Sequence, residues 1–330
     1  MTDRAIVLDQ FLKCAERFVT RINKVLQADK PGNTSETIDS IVSSEDFTSL
    51  TGLAFCCNED ERMKTAAMNT VVVPVLREKF LRGVVTSKTL YDSGSPEALL
   101  IVSCAMQLVD TLCSVFDADW TVVSGPSKSS KDDINRFSFL LVSMCSTIIR
   151  SHGPEALKIS ATEQSLSPFV VRAVINCTNV LEHAVSFLTS DGEDCDSDED
   201  ESAWWTELEA RTLLSIRSRL LETLADVCEV LSEAPKGGDG GPAAYVLTKF
   251  LVQWIVLEAS TDDDDMLSVP SVEGLPSGSR SVAECALKSF GGIDPFLAQI
   301  RRVHLDTKMP QSCGSLFQDY IKRIHRERMS

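Results

Sequence analysis

The chain is expected to be all-helical, a set of helical hairpins stacked into an α-solenoid, and three observations predict this. Apolar residues return at steps of three and four along most of the 330 residues, the period of a helix with one buried face. Short alternating runs separated by Asn-Gly or Asp-Gly turns are not found, so sheet content is expected near zero. The stretches "NTVVVPV" and "WTVV" have strand-like composition but are short and sit between helical patterns. Strong helix starts fall near residues 47, 96, 134, 168, 204 and 242, separations of roughly 35 to 50 residues that suit a repeat array.

The first element covers residues 4–28, where Val7, Phe11, Cys14 or Ala15, Phe18, Ile22 and Val25 share one face and Lys30-Pro31-Gly32-Asn33 ends the pattern. Helices over 36–43 and 45–57 follow, the second with Phe47, Leu50, Leu53 or Ala54 and Cys57 on one side. After "NEDER" the period resumes over 62–82 with Val71, Val75, Leu76 and Phe80 inward, and Pro74 is expected to kink that segment or open a new one. "SPEALLIVSCAMQLVDTLCSVF" has Ser95 as N-cap, Pro96 at the first helical position and Glu97 just inside, each of which favours a helix start. Further helices are expected over 133–151, 168–189, 204–233, 242–260, 281–290, 293–304 and 314–328. The intervening "SGPSKSSKDD", "SHGPEAL", "APKGGDGGP" and "SVPSVEGLPSGSR" read as loops. The organisation expected is one array over 1–330, with an acidic loop at 190–203 and flexible loops at 234–242 and 261–280.

Composition sets outer limits on function. Hydrophobic residues at 43% and charged residues at 24% are ordinary for a globular chain, which excludes wholesale disorder. The formal charge of −16 is concentrated in Asp191 to Glu201 and Asp262 to Asp265, and without those two runs the body is close to neutral. Such a body has no general field for attracting nucleic acid and suits basic partners better. Eleven cysteines, an odd count lying mostly inside apolar runs with no CxxC pair, read as small buried hydrophobes in a reducing cytoplasmic or nuclear setting. The opening Met1-Thr2-Asp3 with Asp9 and Glu16 argues against secretory or mitochondrial targeting, and no stretch approaches 18 uninterrupted apolar residues, so no membrane span is expected.

The segment "FTSLTGLAFCCNEDERMKTAAMNTVVVPVLREKFL" resembles an armadillo repeat. An apolar helix ends in Leu53-Ala54, a short acidic link surrounds Asn58, and an alanine-rich start passes through Val73-Pro74 into a final helix. The glycine usual before that Val-Pro is replaced by Val71-Val72. These residues carry the resemblance to the armadillo/HEAT superfamily; the remaining repeats share only spacing and apolar pattern. Around "LYDSGSPEALL" and "FDADW" the chain is also similar in order to the serum-amyloid-A-like armadillo proteins, from which no residue role is carried over.

"SDGEDCDSDEDESAWW" is the most unusual stretch. As a calcium loop starting at Asp196 it would place acids at positions one, three, five and twelve, but Glu201 occupies the sixth, where the sharp turn requires glycine. Catalytic carboxylates need a fixed, desolvated pair, whereas Asp191, Glu193, Asp194, Asp196, Asp198, Glu199, Asp200 and Glu201 repel one another and stay hydrated. Two readings remain, a solvated connector and a recognition arm for basic peptides. Ser197 before Asp198-Glu199-Asp200, and Ser190 before Asp191 and Glu193, resemble acidophilic casein-kinase-type sites, where phosphate would deepen the charge. In the following helix Trp205, Leu208, Ile216, Leu220, Leu224 and Val227 form the packed face, which leaves Trp204 to one side as a candidate partner anchor.

Arg172, Asn176, Asn179 and His183 form a polar stripe opposite Val170, Val174, Cys177 and Leu181. It is either a solvent face or, as the armadillo resemblance implies, a groove lining in which asparagine amides bind an extended peptide. At the C-terminus, "SLFQDYIKRIHRERM" sets Phe317, Tyr320 or Ile321 and Ile324 against Lys322, Arg323, Arg326 and Arg328, which reads as a capping helix or a basic partner-binding one. Phosphate-loop, dinucleotide, serine-hydrolase and zinc-protease motifs are absent, and His152, His183, His304 and His325 are far apart, so no cofactor or metal is expected. The function expected is a non-enzymatic scaffold or adaptor binding a protein or peptide. The alternatives are an all-helical enzyme without local motif and a nucleic-acid-associated HEAT-like subunit.

Overall fold

The computed structural model describes residues 2–26, 45–58, 60–87, 96–117, 119–121, 131–161, 168–189, 208–234, 241–261, 279–305 and 311–329. Among these no strand occurs, as the periodicity predicts. The elements are α1 (Thr2–Leu26), α2 (Glu45–Cys57), α3 (Glu61–Ala67), a π-helical stretch (Met68–Leu81), α4 (Arg82–Thr86), α5 (Pro96–Phe116), a 3-10 turn (Asp119–Thr121), α6 (Lys131–Ala161), α7 (Pro168–Thr189), α8 (Ala210–Ser232), α9 (Gly241–Thr261), α10 (Val282–Phe290), α11 (Ile293–Arg302) and α12 (Gln311–Met329). The helix expected at 36–43 lies outside the described residues.

The residues group into two compact units, one of Met1–Met144 with His183–Leu213 and one of Cys145–Glu182 with Leu214–Ser330, so the division falls inside α6, α7 and α8. In the first unit α1 packs on α2, α3 and the π-helical stretch, and α5 packs on α2 and that same stretch. Phe18 makes the centre of that contact, 5.5 Å from Phe47 and 5.4 Å edge-on from Phe80 between ring centroids. In the second unit α12 lies on α9, α10 and α11. Phe296 of α11 stands 5.1 Å from Phe290 and 6.1 Å from Phe317, which joins α10, α11 and α12 through one ring.

Two proline positions depart from expectation. Pro74 neither opens a new element nor ends one. The helix continues from Glu61 to Thr86 by widening into i→i−5 bonds, as the Arg82 N–H to Arg77 carbonyl bond shows. A wider turn relieves the clash of the proline ring with the preceding carbonyl, while Val71, Val72, Val73, Val75 and Leu76 keep their burial. The stretch "SHGPEAL", expected as a loop, is helical through Gly153 and Pro154 inside α6. Packing overrides local preference there: Ala156 and Leu157 are buried, the backbone at Gly153 approaches Val230, and Arg150 spans to Asp226 with bonds of 2.7 and 3.2 Å.

Chain reversals use left-handed residues. Asp117 at φ 57° follows α5 and pairs its carboxylate with Lys64 at 2.6 Å; Gly291 at φ 76° ends α10, where Gly292 N–H reaches the Leu287 carbonyl at 2.8 Å in a Schellman arrangement. Arg77 is 1% exposed, donates from Nη1 to the Trp120 carbonyl at 2.8 Å and pairs with Glu78; burial pulls its pKa below the usual guanidinium value. This buried fork fixes the 3-10 turn to the π-helical stretch. Among the described residues two helices are long and apolar enough to cross a membrane by length and composition, Ala98–Phe116 and Gly241–Ser260, because a few polar residues interrupt each run without lowering its average. The first is 78% buried within the protein, and that burial accounts for an apolar surface all round.

One substitution made at two glycines separates helix propensity from backbone strain. Gly153→Ala adds a Cβ at ordinary contact distance, 3.4 Å from Val230, and should raise stability by about 0.5–1 kcal/mol. Gly291→Ala, forced into the left-handed region, should lower it by about 1 kcal/mol. Urea unfolding of both variants reads the two signs directly.

Candidate functional site

A dense polar arrangement in the second unit forms where α9, α10 and α12 meet. A helix start exposes N–H groups with no intrahelical acceptor, and at α10 side chains take the first three. Ser281, extended at φ −145° and ψ 163°, accepts the Glu284 N–H at 3.0 Å. Glu258, from the last turn of α9, accepts the Val282 N–H at 2.8 Å and the Ala283 N–H at 3.2 Å. Trp254, one turn earlier, donates its indole N–H to the same carboxylate at 3.2 Å. The Glu284 carboxylate accepts the Arg280 N–H at 2.7 Å, so the "SVAE" sequence works as a capping box shifted by one residue.

The Glu258 side chain keeps part of its surface in water, but its carboxylate is turned inward onto these donors. Burial pushes its pKa up; the Val282 and Ala283 amides, Trp254 and the charge of Arg217 pull the other way without overcoming burial. Tyr320 of α12 is 6% exposed, with its hydroxyl bonded to Ser281; burial first, and then the Glu258 charge, push its pKa up. Gln299 of α11 donates to Thr248 of α9 at 3.2 Å, so a second buried polar contact ties the same layer together.

On the outer side of this junction a groove of about 530 Å³ opens between the end of α9 and α12. Ala259, Leu316 and the Tyr320 ring make its apolar part. Arg323 lies over the Tyr320 ring, 5.2 Å from its centroid, and Arg326, Asp319 and Glu327 complete the lining. Leu316 is 39% exposed on this rim. The lining offers apolar contact and charges of both signs and holds no serine, cysteine or histidine. Such a set can bind and orient a partner; it supplies no nucleophile with a base beside it. Among the described residues, no three His, Cys, Asp or Glu side chains are placed to hold a metal ion.

The structure separates the sequence-predicted stripe on α7 into different environments. Val170, Val174, Cys177 and Leu181 are buried as expected, and Arg172 is exposed. Asn176 is only 8% exposed, and Asn179 and His183 are half-buried. His183 Nε2 lies 2.9 Å from Asp110 Oδ1 of α5, which holds that ring in the first unit. Neighbouring helices cover more of α7 than a single apolar face requires, and that covering is not encoded in the spacing. Trp204, the acids from Asp191 to Glu201, Ser190 and Ser197 lie outside the described residues.

Cysteines behave mostly as buried hydrophobes. Cys57 is fully buried beside exposed Cys56, with its thiol pushed up to about 11 by burial and then by that neighbour; Cys104 is pushed up to about 12 by burial alone. The Glu258 cap was not anticipated from sequence. Ser281 and Glu284 carry a readable capping signal, but nothing local marks a glutamate 24 residues earlier as its third member.

In comparisons with known proteins the chain matches no protein family, no curated protein and no solved structure.

Glu258 generates a prediction with a defined sign. A carboxyl whose folded pKa is raised favours the folded state most below its unfolded pKa, near the ordinary value of 4.5, and that contribution is lost as pH rises through the folded pKa. Glu258→Gln, which has no charge to bury, should therefore gain stability relative to the parent as pH rises out of the acid range. Glu258→Ala should lose about 0.5–2 kcal/mol, the usual cost of a lost cap. Chemical denaturation of the three proteins across that range checks both; a pH-independent gap between the glutamine variant and the parent would refute the titration.

Proposed function

We propose that the protein is a non-enzymatic scaffold or adaptor of the armadillo/HEAT type, working in the cytoplasm with access to the nucleus. On this reading it binds a protein or peptide through a helix-lined groove or through its acidic arm. The all-helical architecture supports the reading, and so does the armadillo-like pattern of residues 47–81. The observation that carries it is the groove beside α12, where an exposed leucine stands beside a tyrosine ring and two arginines, and tyrosine and arginine are enriched among the residues that dominate binding energy at protein interfaces. Arg172, exposed on α7, remains the one stripe position fully available to a partner. The run from Asp191 to Glu201 gives a basic partner a second place to dock, with Trp204, three residues further along the sequence, as an anchor.

Affinity purification from native lysate tests this with the intact protein, a deletion of residues 191–201 and the double variant Leu316→Asp with Arg326→Glu. The expected result is a protein recovered in stoichiometric amount with the intact chain and lost with one of the two variants. Loss with the deletion assigns the acidic arm, and loss with the double variant assigns the groove. Recovery of no protein under any of these conditions removes the scaffold reading.

A further inference from the structure

The groove beside α12 has an order along its length that identifies what fits it. Leu316, Asp319, Tyr320, Arg323, Arg326 and Glu327 follow one another at steps of three, one, three, three and one, so they form a single stripe over about three turns, about 17 Å long. This is the spacing with which one helix receives another along its side. α12 lays a different stripe, Phe317 and Ile321, on its own unit, and Tyr320 stands at the border of the two, buried yet lining the groove. The end of α9 supplies the second wall through Ala259, whose small side chain leaves room in a groove of about 530 Å³.

The stripe changes character from one end to the other. Its first turn offers the half-exposed Leu316 with the Tyr320 ring beside it, and Asp319 adds a carboxylate there. Its last turns offer Arg323 and Arg326, with Lys322 exposed on the same stretch of helix. Arg323 and Glu327 are engaged within the protein, Arg323 over the Tyr320 ring at 5.2 Å. Arg326 donates from Nε to the Lys322 carbonyl at 3.2 Å, and among the described residues no carboxylate pairs with it or with Lys322. The surroundings repeat this bias: from Ser279 to Ser330 the sequence carries nine lysines and arginines against five acids, in a chain whose formal charge is −16. A guanidinium takes a carboxylate by two parallel hydrogen bonds, and a leucine beside a tyrosine ring takes an apolar side chain.

We propose that this groove receives an acidic amphipathic helix of a partner protein, with its apolar side chains entering between Ala259, Leu316 and Tyr320 and its carboxylates meeting Arg323 and Arg326. This occupant rests on the scaffold reading and adds the partner's chemistry to it. Two parts of the chain then have opposite preferences: a basic partner suits the acids from Asp191 to Glu201, and an acidic one suits α12.

The probe is a phage-displayed library of random peptides of about 16 residues, long enough to span the stripe as a helix, selected on the immobilised full chain. Enriched peptides should carry leucine or phenylalanine at steps of three and four with aspartate or glutamate between them. Their synthetic forms should become helical on binding and bind more weakly as salt rises from about 0.05 to about 0.5 M. Arg326→Glu and Leu316→Asp, both at exposed positions and checked for helical circular dichroism, should each weaken the peptide on the order of tenfold or more by fluorescence anisotropy. Arg326→Glu should regain affinity for a peptide whose acids are replaced by lysine, a recovery that an unfolded variant does not give. The assignment is overturned if the selected peptides are basic, if none is enriched, or if acidic peptides bind both variants as tightly as the parent. Enrichment that arises only after Asp262–Asp265 are replaced by asparagine also overturns it, since the groove then belongs to the chain's own acids. The scaffold reading is judged separately, by the lysate purification with residues 191–201 deleted, which leaves the groove intact.

Discussion

The described residues form helices and no strand, and helices have one way to bury their apolar surface: each must lay its stripe on another helix. Every other feature of this protein depends on that constraint. Burying a leucine or phenylalanine contributes about 1.5–3 kcal/mol, whereas an exposed ion pair contributes about 0–1 kcal/mol. Lys13 with Asp9, well exposed on α1, therefore decides little, and the contacts of Phe18 with Phe47 and Phe80 decide where α1 sits. The same arithmetic explains why a helix tolerates Pro74 and Pro154. Straightening the chain around either proline would expose more apolar surface than the lost backbone bond costs.

Polar groups drawn into such an interior must bring their partners with them. Arg77 does so with the Trp120 carbonyl and Glu78, Thr223 with Ser146 at 2.7 Å, and Asn135 with the Glu209 amide at 3.0 Å. Glu258 is the fullest case in the second unit. Its carboxylate answers two orphan amides of a helix start and an indole, so the end of α9 and the beginning of α10 share one acceptor. Tyr320, bonded to Ser281, extends the arrangement to α12, whose outer face forms the groove. The groove is thus positioned by a buried carboxyl behind it.

Helix existence was legible in the sequence because the 3.6-residue period is a local property. Residues 45–57, 168–189 and 281–290 could be placed to within a residue or two from apolar spacing and capping residues. The candidate site was legible only in part. Phe317, Tyr320 and Ile321 could be assigned to the inner face of α12 and Lys322, Arg323 and Arg326 to the outer one, since one helix suffices to separate them. Asn176 could not be distinguished from Arg172, because four residues of spacing say that two side chains share a face and say nothing of what covers it. The partnership of His183 with Asp110, 73 positions apart, has no sequence signature at all.

The sequence by itself determined the secondary-structure class, most helix boundaries and the apolar face of each helix, because these follow from interactions within about one turn. Tertiary structure alone decided that the helix runs through Pro74 and Gly153-Pro154, that Glu258 serves α10, and that His183 meets Asp110. These outcomes turn on which stripe lies against which. That choice is made by the packing of side chains distant in sequence, whose mutual fit is a property of the folded interior.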